Sequence, residues 1–425
     1  MTIIRRLFIL AWFLILLTTG CAPAPNNSNT TVSNQPSPSP SASPSPTTTT
    51  TDTASVQITL PLLDALLTDD KFVARVKKDL KLNDQKVEEL KNVSGSAVAR
   101  LRENNTEDQE DNDATDARTR AEEQLRSVLG EEKARDLTKL ANDYWSKGDA
   151  GEASNDNLEM LKGPNAVPTD TRVVVNIPAF RMDVFKDGSL LKSYKVGIGY
   201  PQFPLPLGLR RAQQIIFNPT WTPPDSPWVA KMKNVAPGET VEAGDKDNPL
   251  GPIKIPIGLP SLIHGGKSPA KIGKFASHGC VGLTNAQIKD FAALLGQASN
   301  TADVPTKMAT YLEDETKTQT VKLNQIVPVE LRYETIVIED GKLHIYRDVY
   351  AQDTNTEENL RRVLEANGMK LEDLPEQQRT QILNALNSKP KKEVVIDLGT
   401  VAQKGYPAPV DLDTGTGKKP ASKRT

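Results

Sequence analysis

The sequence predicts an α+β protein: a small helical domain, then a mostly β domain of mixed sheets with short helices, the whole preceded by a disordered tether. Three observations carry this reading. Between Val56 and Lys162 apolar residues recur at helical spacing, as in Phe72, Val73, Val76 and Leu80. From Pro168 onward short β-rich runs alternate with turn dipeptides, Asp187-Gly188 and Asp340-Gly341. Residues 22–55 consist almost wholly of Pro, Ser, Thr and Asn, with Asp52 as the single charge. Such a segment cannot bury enough apolar surface to fold.

A chain of 425 residues holds two or three domains. A net charge of −2 gives no basic footprint, so no nucleic-acid partner is expected. The two cysteines, Cys21 and Cys280, exclude a disulfide framework.

Residues 1–21 read as a targeting segment. Arg5 and Arg6 form a positive start, and Leu7 to Leu17 is an apolar run of signal-peptide length. Thr18-Thr19-Gly20-Cys21 then resembles the processing site of bacterial lipoproteins. The resemblance implies cleavage before Cys21 and its lipidation, hence a membrane anchor in the cell envelope. An ordinary secretory signal or an uncleaved anchor is the alternative. Either way the chain is exported. The tether that follows, at roughly 3 Å per residue, reaches on the order of 100 Å from a membrane.

In the helical domain, residues 56–165, Asn83-Asp84 is a cap for a helix carrying Val87, Leu90 and Val93. The acidic run Asn104–Asp116 reads as a solvated loop. Ala117–Trp145 reads as one long amphipathic helix with Leu125, Val128, Leu129, Leu137, Leu140 and Tyr144. No residue here points to chemistry, so the domain spaces or docks.

In the β domain, residues 168–353, Arg172–Asn176, Phe180–Phe185 and Leu190–Val196 are strands, the first two separated at Pro178. Phe217–Val229 holds two Trp and four Pro and is a stiff loop, either a cover for the β core or a wall of a substrate groove. Pro252–Leu259 leads into His264. Asn285–Leu295 is a short amphipathic helix, and Val327–Tyr333, Glu334–Glu339 and Lys342–Tyr346 are strands. His344, in the last of these, reads as an ordinary strand histidine. Residues 354–425 form a C-terminal extension with helices at Glu357–Leu364 and Gln377–Leu386, a strand at Val394–Val401, and a disordered end from Gly415.

Chemistry concentrates in His264–Asn285. This stretch holds two of the chain's three histidines, His264 and His278, together with Cys280. A thiol needs a base to become a nucleophile, and a lone Cys with a nearby His is a candidate for acyl transfer. Gly279 and Gly282 flank the thiol and let backbone approach a reacting carbonyl, where N–H groups make an oxyanion hole. The bland reading is a buried small hydrophobe beside a core histidine. Cys280, His264 and His278 lack zinc-ligand spacings, so no metal and no cofactor are expected.

The strings IHG at Ile263–Gly265 and SHGCVGL at Ser277–Leu283 resemble the signature of the L,D-transpeptidase (YkuD-like) catalytic domain. VNIPAFRMDVFKDGSLLKSYKVGIG, from Val175, and PQFPLPLGLRR, from Pro201, resemble its opening part. The resemblance implies that Cys280 attacks a peptidoglycan stem peptide, that D-alanine leaves, and that an amine of a neighbouring stem resolves the thioester into a cross-link. It assigns the base to His264. His278, two residues from Cys280, has poor freedom to aim at the thiol and shapes the site instead. Gly279, Ser277 and Gly265 fall at the oxyanion and substrate positions, and a backbone carbonyl such as that of Gly265 is expected to hold the second His264 nitrogen. One position departs from the pattern: Gly282 stands where many members have Arg or Asn, with Arg210 or Arg211 as candidate substitutes. Two alternatives stay open, a carboxypeptidase or amidase that resolves the thioester with water, and an inactive wall-binding lipoprotein.

Overall fold

The computed structural model describes residues 58–103, 114–147, 159–223, 229, 234–236, 238–258, 261–399 and 405–416, all within one compact unit, Asp52–Thr425. The expected signal and tether, most of the acidic run, part of the Trp/Pro loop and the chain end from 417 lie outside them. Among the described residues no helix is long and apolar enough to cross a membrane.

Five helices come first: α1 (Leu60–Leu67), α2 (Asp70–Asp79), α3 (Asp84–Glu103), α4 (Ala114–Leu129) and α5 (Glu131–Lys147). Their starts are capped by short polar side chains. Thr59 accepts from the Leu62 N–H, Asp69 from Lys71 and Asn83 from Lys86. The single helix expected over Ala117–Trp145 is two helices. Gly130 adopts φ +78°, which ends α4 and turns the chain into α5. Leu63, Phe72, Val76, Leu90, Leu125 and Leu137 form the shared core. Tyr144 closes it, its ring 5.1 Å from that of Phe72 and its hydroxyl donating to Asp69 at 2.6 Å.

The β region runs β1 (Arg172–Asn176), β2 (Arg181–Lys186), β3 (Ser189–Lys195), β4 (Ile198–Gly199), β5 (Gly208–Phe217), β6 (Ile253–Pro256), β7 (Leu262–His264), β8 (Phe275–Ser277) and β9 (Val281–Gly282). Helices α6 (Asn285–Ala298) and α7 (Val304–Tyr311), then strand β10 (Gln319–Arg332), complete it. Eight strands form one sheet in the order β3-β2-β1-β10-β5-β6-β7-β9. The β1–β10 and β7–β9 pairs are parallel and the others antiparallel. The sheet curls until its ends meet. Beyond β3, Gly197 exchanges two 2.9 Å hydrogen bonds with Gly282 of β9. Inside lie Val173, Val175, Val184, Phe217, Ile255, Ile263, Val281, Phe291 and Val329, all fully buried.

β11 (Ile336–Glu339) and β12 (Lys342–Ile345) form the second Asp-Gly hairpin, with Asp340 at φ 46° and Gly341 at 71°, the two positive values a type I′ turn needs. After α8 (Glu357–Ala366) and α9 (Glu376–Asn387), β13 (Val394–Asp397) adds to β12 in a separate three-stranded sheet. Ile336, Ile338, Leu343 and Ile345 share a core with Leu360, Leu364 and Ile382, so this hairpin packs with the C-terminal extension. The chain then returns. Tyr406 bonds Ile338, and Val410 and Asp413 pair with Ser193 and Lys195, covering the exposed edge of β3.

Buried ion networks tie these layers. Glu330 on β10 binds Arg172 on β1 and, at 2.9 Å, Arg332. Arg181 on β2 binds Asp183 at 2.8 Å and Glu339 of the smaller sheet. The helical domain meets the β region through Thr59, which donates to the Gln202 carbonyl at 2.8 Å, and through Arg118, which donates to the carbonyls of Tyr350 and Ala351.

Candidate active site

The β6–β7 hairpin puts His264 opposite Lys254, and the parallel β7–β9 pair puts His264 opposite Gly282. Side chains alternate along a strand, and partners in register share a face. Cys280 stands in the bend just before β9, two residues ahead of Gly282, so the β7–β9 register brings its turn alongside the end of β7 that carries His264. The backbone of Leu262, two residues before His264, lies close enough to the thiol to favour its thiolate form.

His264 is buried at 3% exposure, and its Nδ1 lies 2.8 Å from the Gly265 carbonyl oxygen. That carbonyl is the partner the sequence pointed to. A carbonyl only accepts, so Nδ1 carries the proton and Nε2 keeps its lone pair. Burial, helped by the nearby charge of Lys267, holds the imidazole pKa down to about 3, against the pull of the Gly265 and Leu250 carbonyls. Cys280 is a free, half-buried thiol. Burial pushes it up, opposed by the Leu262 backbone and by the charge of Lys267. The resting pair is therefore a neutral thiol and a neutral imidazole.

The turn before the thiol is built from short-range bonds. The Cys280 N–H donates to Ser277 Oγ at 3.0 Å, and that hydroxyl donates in turn to the Cys280 carbonyl. Ser277 thus fixes the turn. Gly279 sits at φ +97°, which a side chain would strain, and its carbonyl accepts from Ser261 Oγ at 2.9 Å. Gly265 lets α6 approach, since a Cβ there would stand 2.8 Å from Ile288 and 3.0 Å from Asn285. Asn285 accepts from the Gly266 N–H at 2.7 Å and so pins the loop after His264.

His278 turns into an aromatic pocket, its ring centroid 4.6 Å from Phe203 and 5.5 Å from Tyr200. Arg210 and Arg211 do not stand at the thiol. The level of His264 corresponds, through Lys254, to Ile216 of β5. Arg210 is six residues from it, about 20 Å of strand. The Trp/Pro loop is tied down near its start: Trp221 exchanges two backbone bonds with Val241, and Asn248 donates to the Pro219 carbonyl at 2.7 Å. His344 bonds Glu393 at 2.7 Å, far along the chain from this site. Among the described residues no group of three or more His, Cys, Asp or Glu side chains is placed to hold a metal ion.

The sequence did not single out Ser261, Asn285 or Lys267. Ser261 and Asn285 act through backbone contacts that leave no local mark. Lys267 had one signal, a cation three residues after the candidate base.

Residues 170–320 match the family model of the YkuD L,D-transpeptidase catalytic domain. This segment is a YkuD domain. It contains His264, Ser277, His278 and Cys280. Solved structures similar to the chain include the catalytic domain of an Enterococcus faecium L,D-transpeptidase, at 17% identity and TM-score 0.26, covering 39% of this chain and 100% of that one. An L,D-transpeptidase from Mycobacterium smegmatis matches at 17% identity and TM-score 0.23, covering 38% and 58%. One from Mycobacterium tuberculosis matches at 14% and 0.22, covering 38% and 57%. An L,D-transpeptidase carbamoylated by avibactam matches at 16% and 0.24, and the chain spans about half its length, 49%. Likenesses this distant carry no argument about activity. No curated protein matches the chain.

Proposed function

We propose that the YkuD domain is a cysteine-dependent L,D-transpeptidase acting on peptidoglycan stem peptides. The observation that supports this is the β7–β9 register, which brings the Cys280 turn alongside His264, with Nδ1 of His264 bonded to the Gly265 carbonyl. Nε2 then takes the thiol proton as sulfur attacks the amide carbonyl of the stem. The tetrahedral oxyanion forms beside the Gly279 turn. As it collapses, the protonated imidazole gives its proton to the departing D-alanine amine, leaving a thioester on Cys280. The amine of a second stem attacks that thioester, Nε2 removes its proton, and the new amide leaves the thiol restored. A neutral resting pair suits this cycle, because the proton moves only as the carbonyl is engaged.

Arg5, Arg6, the apolar run Leu7–Leu17 and Gly20-Cys21 support the further reading of a lipid-anchored envelope protein. The Pro/Ser/Thr tether gives the catalytic domain reach toward the wall.

Incubating the soluble chain with purified muropeptides, with products identified by mass, tests the proposal. Cross-linked dimers are expected. Trimmed stems alone would make the enzyme a hydrolase, and no product with intact stems would leave a binding protein.

A further inference from the structure

Gly282 is the position where the chain departs from the family pattern, and the structure shows what lies over it. A Cβ built on Gly282 would meet the Cγ of Lys267 at 2.8 Å, its Cε at 2.9 Å and its Cδ at 3.3 Å. The lysine stem therefore runs across the space that a β9 side chain would fill. The Lys267 N–H donates to the Leu283 carbonyl at 3.0 Å, which extends the β7–β9 ladder and fixes where that stem begins. Gly282 lies opposite His264 and two residues after Cys280, so the stem crosses the face that carries His264, beside the Cys280 turn.

We propose that Lys267 is the cation that serves the thiol, supplied from the loop after β7 across a strand glycine, and that it draws a carboxylate-bearing acyl donor to Cys280. Three features fit. Lys267 is close enough for its charge to act on both His264 and Cys280, whereas Lys254, opposite His264 on β6, acts on the imidazole alone and donates its Nζ to the Thr220 carbonyl at 3.2 Å. Gly282, in extended backbone, leaves room for the stem. Arg210 and Arg211 stand at another level of the sheet and do not fill the role. The charge favours the thiolate over the thiol and disfavours an imidazolium that forms without an anion beside it. The carboxylate assignment rests on the proposed function, since the departing D-alanine carries one.

The test uses alkylation of Cys280, which needs no turnover and so stands or falls apart from the transpeptidase reading. The full exported chain is reacted with anionic iodoacetate and neutral iodoacetamide over a pH series, and Cys280 modification is read by mass. Wild type is expected to favour iodoacetate relative to a free thiol, and salt should erode the preference. Lys267→Met keeps the apolar stem and removes the charge. It should lower the iodoacetate-to-iodoacetamide ratio by about three- to tenfold and move the alkylation midpoint to higher pH. Lys267→Arg should restore the ratio. Lys267→Ala/Gly282→Arg, which moves the cation to the strand position, should restore it as well. A Lys267→Met variant with the wild-type ratio and midpoint overturns the proposal, as does a Lys267→Arg variant no better than Lys267→Met.

Discussion

Gly282 pairs with His264 across the parallel β7–β9 ladder, and that single register decides the site. Shifted by one residue, Gly282 would leave its place across from His264, and the Cys280 turn would move with it. The register is held from both sides: Gly197 bonds Gly282 twice at 2.9 Å, and Leu283 donates to the His264 carbonyl at 2.8 Å.

His264 and His278 should therefore fail differently when replaced. Loss of a general base typically costs about 10²–10⁴ in rate. His264→Ala should nearly abolish acylation and slow Cys280 alkylation at neutral pH. His278→Ala removes a ring packed on Tyr200 and Phe203 and should keep measurable turnover. Stopped alkylation assays on both variants check this; a collapse in His278→Ala with ordinary reactivity in His264→Ala would reverse the roles.

Burial of His264 has a consequence for stability. Folded, its pKa is about 3, below the ordinary value of 6.5. Between those values the unfolded chain binds a proton that the folded chain refuses, so stability falls as pH drops through 6.5 toward 3. At pH 4.5 the loss from this group is on the order of 2 kcal/mol. Urea midpoints at pH 7 and 4.5 measure it. His264→Gln should show a smaller drop than wild type between the two, and an equal drop in both proteins would assign the acid sensitivity to other groups.

Glu330 is 1% exposed and serves both Arg172 and Arg332. Removing it leaves two buried guanidinium groups without that carboxylate. Glu330→Ala should destabilise the domain by about 3–5 kcal/mol, read from the shift in denaturant midpoint. A loss under about 1 kcal/mol would mean that Asp170, 2.6 Å from Arg172, and Glu334, 3.8 Å from Arg332, compensate.

Cys21→Ala tests the anchor. If Cys21 is lipidated, the variant should leave the membrane fraction and be recovered as a soluble exported protein. Fractionation like wild type would remove Cys21 from that role.

Local signals in the sequence were good guides wherever the cause was local. Asp187-Gly188 and Asp340-Gly341 turn the chain where expected because both residues of each pair take positive φ. Asn83 caps α3 through its own side chain. The tautomer-fixing carbonyl of Gly265 is adjacent to His264 in the chain and could be named in advance. The break at Gly130 was missed because the apolar rhythm continues on both sides of it. The return of residues 405–413 to β3 was illegible because edge pairing is made by backbone, not by side-chain pattern. Lys267 was passed over because its place depends on a register between strands, which no single stretch of sequence displays.

Intact-mass measurement of the protein after exposure to a carbapenem tests the central claim most directly. The YkuD resemblance implies that such a β-lactam acylates the nucleophile. One adduct is expected on wild type, none on Cys280→Ala, and a greatly slowed adduct on His264→Ala. An adduct of the same mass persisting on Cys280→Ala would place the nucleophile elsewhere and contradict the account.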